Sequence, residues 1–495
     1  MEIFNGKKYN YNFEKMNKKE KIYFILIFLL GIFLRILNLG KHSLWCDELL
    51  AISLGQHSIK WIIDYITYND AHPPLFYILV HFWLKFGTNE VFLRILPLFF
   101  GILCIPFSYM LGGKIKNTKT SILFSFFIAL SPPLILWSQI IKSYTFFTFL
   151  IILSFISFIS YIHSKKEKWL FLLTISNILI LYTHNFGFIS IFIQILGILI
   201  LKKLNSKFIF SFLITLVIYI PWLLKIPHQL AFTLGVKRPI PIILRLPYTL
   251  FYFIFGETIN PFNLKILIPL FLIWIWLFII SAKNLFLLEK ETKILLIISL
   301  FSPLIFVSFP STVPQNLIPF SIFWLLFFSI GLEKLNYKNI LNYFIFLSLI
   351  PSLFFYYSDS IDNYHDTSKL IPFKEIYTKI ENLETKGDLI LTTEKIGKDI
   401  MSPSQWYYKG KNKIIGIEGE KDLEKINEII DKPKRIFVVL DFINNPSISE
   451  KLKIFFGKSY NKIYENKYIY NEKLLSKFRK KQEFYYLFEI YLFEN

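Results

Sequence analysis

The segment "LWCDELLAIS" (44–53) sets two carboxylates, Asp47 and Glu48, side by side just after an apolar run at 22–39. Carboxylates beside hydrocarbon are costly unless a cavity or a partner takes them in. One such carboxylate suffices as the base that removes a proton from an attacking hydroxyl. The competing reading is local. Acidic side chains in the first turn of a helix "ELLAISLG" stabilise its positive end. Further on, "NDAHPPLF" spaces Asp70 and His72 two residues apart, and Pro73 pushes His72 to extended backbone. These two could share a metal or a phosphate-bound water, or His72 could cap a turn. A divalent cation takes oxygen-rich ligands, and Glu48, Asp70 and His72 are the candidate set. A third feature is Lys142 in "WSQIIKSY", with Gln139 and Tyr144 beside it and His184 in the turn "YTHN".

Positioning these residues is the work of a membrane. The chain has 495 residues, 54% hydrophobic and 19% aromatic. Such a composition leaves too little polar surface to close one soluble core. The apolar residues fall in blocks near the roughly 20 residues a helix needs to cross a bilayer. The formal charge of +20 comes from lysines in short turns and in the C-terminal portion. That pattern reads as membrane orientation, and no nucleic-acid motif accompanies it. Cys46 and Cys104 predict no disulfide framework. The basic N-terminal tail and the long first apolar run read as a retained signal anchor.

Lysine and arginine in the turns predict about eleven spans, with the N-terminus cytoplasmic. They are 22–39, 91–112, 120–136, 144–162, 169–182, 186–201, 208–224, 264–281, 294–309, 317–332 and 338–357. "KIKNTK", "HSKKEK" and "KKLNSK" then lie inside, while the loop 40–90 and the segment 225–263 lie outside. The stretch 75–87 is too short to span and reads as an amphipathic helix on the outer surface. Lys142 runs against the orientation rule. It either snorkels from a span end or serves as a cation for a lipid-linked phosphate.

Composition changes near 358. "GDLILTTEK", "KIIGIEG", "RIFVVLDF" and "FYYLFEIYLFE" read as strands, and "KDLEKINEIID" has helical spacing. Residues 358–495 are therefore expected to form a small extracytoplasmic α/β domain after a membrane domain of 1–357.

"LWCDELLAIS", "DAHPPLFYILVHFWLKFG", "LSPPLILWSQIIKSYTFF", "LYTHNFGFISIFIQ" and "YIPWLL" follow one another as in the GT-C membrane glycosyltransferases. The chain most resembles the protein mannosyltransferase and aminoarabinose transferase group, over about residues 22–330. The resemblance implies transfer of a sugar from a polyprenyl-phosphate carrier to a glycan, lipid or protein acceptor. The transfer would occur at the outer face of the cytoplasmic membrane, by a single inverting displacement. The family's acidic pair falls on Asp47 and Glu48, its His-Pro-Pro element on His72, Pro73 and Pro74, and its polar turn on Ser138, Gln139, Lys142 and Tyr144. Many relatives carry Glu and Arg where this chain has Ile140 and Lys142, and Pro-Arg-Tyr where it has Pro314, Gln315 and Asn316. Lys142, with Lys237, Arg238 and Arg245 of the second outer segment, is then the expected source of positive charge. Two other classes compete. A transporter or flippase would place ionisable residues at mid-membrane within repeated halves, and no repeat is visible. A degenerate, non-catalytic relative would show departures of the kind at Ile140 and Gln315.

Overall fold

The computed structural model describes residues 16–235, 241–261, 263–309, 312–333, 340–358, 371–424, 426, 435–442, 445–471 and 485–494. Lys237 and Arg238 lie outside the described residues. The chain divides into two compact units. The first comprises residues up to Leu39 and Gly55–Ser358, the second Gly40–Leu54 and Asp359–Asn495. The C-terminal unit thus takes in residues 40–54 as well.

The first unit is helical. Its elements are α1 (Lys18–Ile36), α3 (Ile59–Asn69), α4 (Leu75–Trp83), α5 (Glu90–Ile115), α6 (Thr118–Leu130), α7 (Pro132–Ser138), α8 (Tyr144–Ser164) and α9 (Glu167–Thr183). They continue as α10 (Gly187–Ile200), α11 (Ser206–Leu223), α12 (Ile226–Gly235), α13 (Ile242–Phe255), α14 (Leu264–Leu285), α15 (Lys290–Ile305), α16 (Pro314–Leu317), α17 (Ser321–Glu333) and α18 (Ile340–Ser358). Each expected span falls on a helix. Among the described residues, six helices are long and apolar enough to cross a membrane, or seven if the bent pair α6–α7 counts as one. The segments expected outside hold more helix than the one expected at 75–87, which is α4. The region 40–90 holds α3, α4 and α2 (Cys46–Gln56), and 225–263 holds α12 and α13. These helices are too short to register as apolar runs of spanning length.

The third expected span is bent by 58° between α6 and α7. Pro132 and Pro133 lack the N–H groups that would have bonded the carbonyls of Ile128 and Ala129. The buried Arg35 of α1 replaces both, donating from Nη2 to Ile128 at 2.8 Å and from Nη1 to Ala129 at 2.9 Å. On the other side, α7 lies so close to α5 that a Cβ at Gly101 would stand 2.0 Å from Ser138 Oγ. Helices α8, α9 and α10 share a closed polar knot. Ser154 donates to Asn177, Asn177 to Gln194, and Gln194 back to Ser154, each at 2.8 Å. Interhelical bonds of this kind are one of the few specific adhesives between apolar helices.

The second unit is an α/β layer. Its sheet has the order β2-β1-β3-β5-β4, from β1 (Leu389–Thr392), β2 (Lys413–Gly416), β3 (Arg435–Asp441), β4 (Asn461–Asn471) and β5 (Tyr485–Glu494). β1 pairs in parallel with both β2 and β3, while β5 runs antiparallel to β3 and β4. β1 is buried along its whole length, as a central parallel strand covered on both faces should be. Alternate residues Ile436, Val438 and Leu440 of β3 pack with Leu452 and Phe456 of a helix at Pro446–Ser459. Another helix, Phe373–Leu383, buries Phe373, Ile376, Tyr377 and Ile380, and its Phe373 ring meets Phe488 of β5 at 5.4 Å. Residues 40–54 join this unit through bonds from the Leu44 N–H to the Tyr407 hydroxyl and from the Met401 N–H to Ser53 Oγ.

Candidate active site

The loop after α3 is built around Asp70. The chain bends at His72, whose N–H donates back to Asp70 Oδ1 at 3.0 Å. His72 Nδ1 also donates to that oxygen, at 2.7 Å. Tyr77 of α4 donates its hydroxyl to Oδ2 at 2.5 Å. Burial alone would raise the Asp70 pKa, but His72, Lys142 and the Tyr77 hydroxyl outweigh it and hold the carboxyl below the usual carboxylate range. Asp70 is therefore an ionised carboxylate at neutral pH, with both oxygens engaged by its own neighbours.

The turn between α7 and α8 supplies the cation. Lys142 is buried and acts electrostatically on both Asp70 and His184. Tyr144 opens α8, packs edge-on against Trp137 at 4.3 Å and donates to Asn316 Oδ1 at 3.1 Å. Gln139 does something different. Its Nε2 donates to the carbonyls of Arg35 and Leu37, and its Oε1 accepts from Tyr356 at 2.5 Å. It thereby satisfies carbonyls at the C-terminal end of α1, which have no helical donor.

His184 follows α9. Its ring stacks on Phe147 at 5.1 Å and 3°, and meets His72 edge-on at 5.0 Å. Burial, with His72 and Lys142 nearby, holds its pKa well below the ordinary histidine value. The Asn316 side chain acts on the ring without closing a hydrogen bond to Nε2. The next residue, Asn185, donates to the carbonyl of Ala71 at 2.8 Å and to Gln229 Oε1 at 3.0 Å. Gln229 of α12 in turn donates to the carbonyl of His72 at 2.9 Å. Arg245 of α13 donates to the carbonyl of Phe309 at 2.9 Å.

Of the residues singled out from the sequence, Asp70, His72, Lys142, Tyr144 and His184 are gathered in one cluster. Tyr77, Asn185, Gln229 and Asn316 belong to it too. Sequence reasoning passed over the first three, and met Asn316 only as a departure from a family pattern.

Asp47 and Glu48 stand in the first turn of α2, in the second unit. Glu48 is buried, and its Oε2 accepts the Trp45 N–H at 3.0 Å. It therefore closes the start of its own helix. Asp47, Glu394 and Asp441 all act electrostatically on Cys46. Glu394 lies just beyond β1 and Asp441 ends β3. Glu394 accepts from the Tyr377 hydroxyl at 2.7 Å and the Ser404 N–H at 2.8 Å. Burial nonetheless pushes its pKa up to about 7.

The expected metal set does not assemble. Among the described residues, no group of three or more His, Cys, Asp or Glu side chains gathers at ligand spacing. The oxygens of Asp70 are already engaged by His72 and Tyr77. A resident cation does not fit this donor set.

Residues 56–235 match the family model described as dolichyl-phosphate-mannose-protein mannosyltransferase. No curated protein matches the sequence. Among solved structures, ArnT from Cupriavidus metallidurans in the apo state is similar at a TM-score of 0.60 and 10% identity, over 96% of this chain and 98% of ArnT. ArnT bound to undecaprenyl phosphate gives 0.56 at 10% identity, with the same coverage. The archaeal oligosaccharyltransferase AglB from Archaeoglobus fulgidus, in complex with an inhibitory peptide and a dolichol-phosphate, gives 0.53 at 12% identity, over 90% of this chain and 73% of AglB. The chain has the GT-C glycosyltransferase fold, that of a helical membrane protein with a small C-terminal sheet.

Proposed function

We propose that the chain is a glycosyltransferase that moves a sugar from a polyprenyl-phosphate donor to an acceptor at the outer face of the cytoplasmic membrane. The observation that carries this reading is the burial of Lys142 among Asp70, His72, Tyr144 and His184, at the ends of apolar helices. A desolvated ammonium in such a setting favours an anionic ligand, and a lipid phosphate supplies one at headgroup depth. The likeness in fold to ArnT bound to undecaprenyl phosphate supports the choice of carrier.

In the reaction, the acceptor hydroxyl oxygen attacks the anomeric carbon and the bond from that carbon to the phosphate oxygen breaks. The electron pair leaves with the polyprenyl phosphate, and the configuration inverts. Phosphate departs without a general acid, so positive charge is needed on the leaving group more than a proton. Lys142 supplies that charge. Asp47 takes the hydroxyl proton, the role its place in the acidic pair suggests, and Glu48 fixes the helix that carries it. The acceptor is a glycan, a lipid or a protein. No step runs through a metal.

The test is a transfer assay in membranes holding the full chain, with a panel of labelled polyprenyl-phosphate sugars and tags at 165, 204 and 495. Labelled product, with the tag at 495 reachable only from outside, is expected. Flux of labelled lipid across the bilayer with no product would instead identify a transporter.

A further inference from the structure

We infer that His184 and Asn185 read the hydroxyl groups of the transferred sugar, an assignment that rests on the transferase reading. Asn185 Nδ2 donates to the carbonyl of Ala71, and a carbonyl only accepts, so the amide cannot be turned over. The Gln229 amide is fixed in the same way, since its Nε2 donates to the carbonyls of His72 and Ile66. Its Oε1 must then accept from Asn185. Asn185 Oδ1 is left as an acceptor, buried and without a partner.

His184 is fixed with opposite polarity. The Phe186 N–H donates to Nδ1 at 3.1 Å. Nδ1 therefore carries a lone pair and the ring proton sits on Nε2. That N–H is also buried, in a side chain only 2% exposed, and closes no hydrogen bond, though the Asn316 side chain acts on the ring. The stack on Phe147 and the edge contact with His72 hold the ring in place.

The turn at 184–185 thus offers a donor and an acceptor, both buried and neither closing a hydrogen bond. Leaving either unmet costs the full desolvation of the group. Phosphate oxygens accept and do not donate, so a phosphate would meet His184 and be repelled by Asn185 Oδ1. A hydroxyl both donates and accepts, so the hydroxyls of a sugar suit both kinds of atom. The chemistry of the turn selects the sugar rather than its carrier.

Binding to the full chain in detergent separates the two. The probes are bare undecaprenyl phosphate and undecaprenyl phosphate linked to mannose, glucose, galactose or arabinose. His184→Phe keeps the stacking and removes the donor, and Asn185→Ala removes the acceptor. Each should weaken the sugar-bearing lipid that the wild type binds best by at least tenfold, and leave bare undecaprenyl phosphate within twofold. His184→Gln, which returns an N–H, should recover most of the loss. Equal losses on bare and sugar-bearing lipids would overturn the assignment, since the residues would then serve the phosphate or the fold. Unchanged affinities would overturn it too, with water meeting both atoms. Failure of the wild type to bind any of these lipids would remove the transferase reading and this assignment together.

Discussion

Tyr77 donates its hydroxyl to Oδ2 of Asp70 at 2.5 Å, leaving Oδ1 to His72. One carboxylate thus joins the first turn of α4 to the loop before it. Tyr77→Phe removes the donor and leaves a buried, ionised oxygen short of a partner. The full chain should lose ~2 kcal/mol of stability, seen as a lower unfolding temperature in detergent. Transfer should fall as well, because His72 is aligned by the same carboxylate. A variant that unfolds and transfers like the wild type would show that the bond orders nothing.

The bracket formed by Arg35 predicts a sharper effect. Arg35→Met keeps much of the apolar stem but strands the carbonyls of Ile128 and Ala129, which the proline pair already deprives of helical donors. With two buried acceptors unmet, a loss of ~2–4 kcal/mol is expected. The α6–α7 bend should relax, moving the turn that carries Lys142. Thermal unfolding measures the first effect and affinity for undecaprenyl phosphate the second. Unchanged unfolding would mean that the two carbonyls find other donors.

Glu394 makes stability depend on pH. Its folded pKa is pushed up to about 7 from the ordinary 4.5, by burial first and by Asp441 in the same direction, against the bonds from Ser404 and Tyr377. Between those values the folded chain holds a proton that the unfolded chain has released. Stability should therefore fall as pH rises through this window, by up to ~3 kcal/mol, and level off above it. Glu394→Gln should flatten that part of the profile. Unfolding of the full chain at pH 5 and pH 8, with and without the substitution, measures it. A slope equal in both proteins would place its source elsewhere.

Much of the fold was legible because a long apolar run has few alternatives in water. The helices α5, α8 and α14 are such runs, and Lys142 stands out in the sequence as a cation in a turn expected to lie outside. The bend at Pro132 and Pro133 was not drawn from "SPPLILW", since its stabilising partner, Arg35, lies nearly a hundred residues away in the chain, at separations of 93 and 94. Asn185 and Gln229 were missed for a related reason. Their bonds reach back 114 and 157 residues to Ala71 and His72, and no local pattern announces them. Residues 40–54 join the C-terminal unit through bonds spanning 363 and 348 residues. The helix-start reading of the acidic pair describes what Glu48 does at Trp45.

The division of labour between Asp47 and Lys142 is the most exposed part of the proposed mechanism. Asp47→Asn keeps the shape of the side chain and its place in the first turn of α2 while removing the base. Transfer should drop by roughly 10²–10⁴, the usual scale for a positioned general base, and undecaprenyl phosphate should bind as before. Lys142→Met keeps the apolar stem and removes the charge. Affinity for undecaprenyl phosphate should weaken, and turnover should fall further than affinity, because the departing phosphate gains charge in the transition state. The two variants therefore separate on a plot of turnover against donor affinity, Asp47→Asn along one axis and Lys142→Met along both. Near-normal transfer by Asp47→Asn would remove it as the base and leave both carboxylates of the pair to the helix they begin.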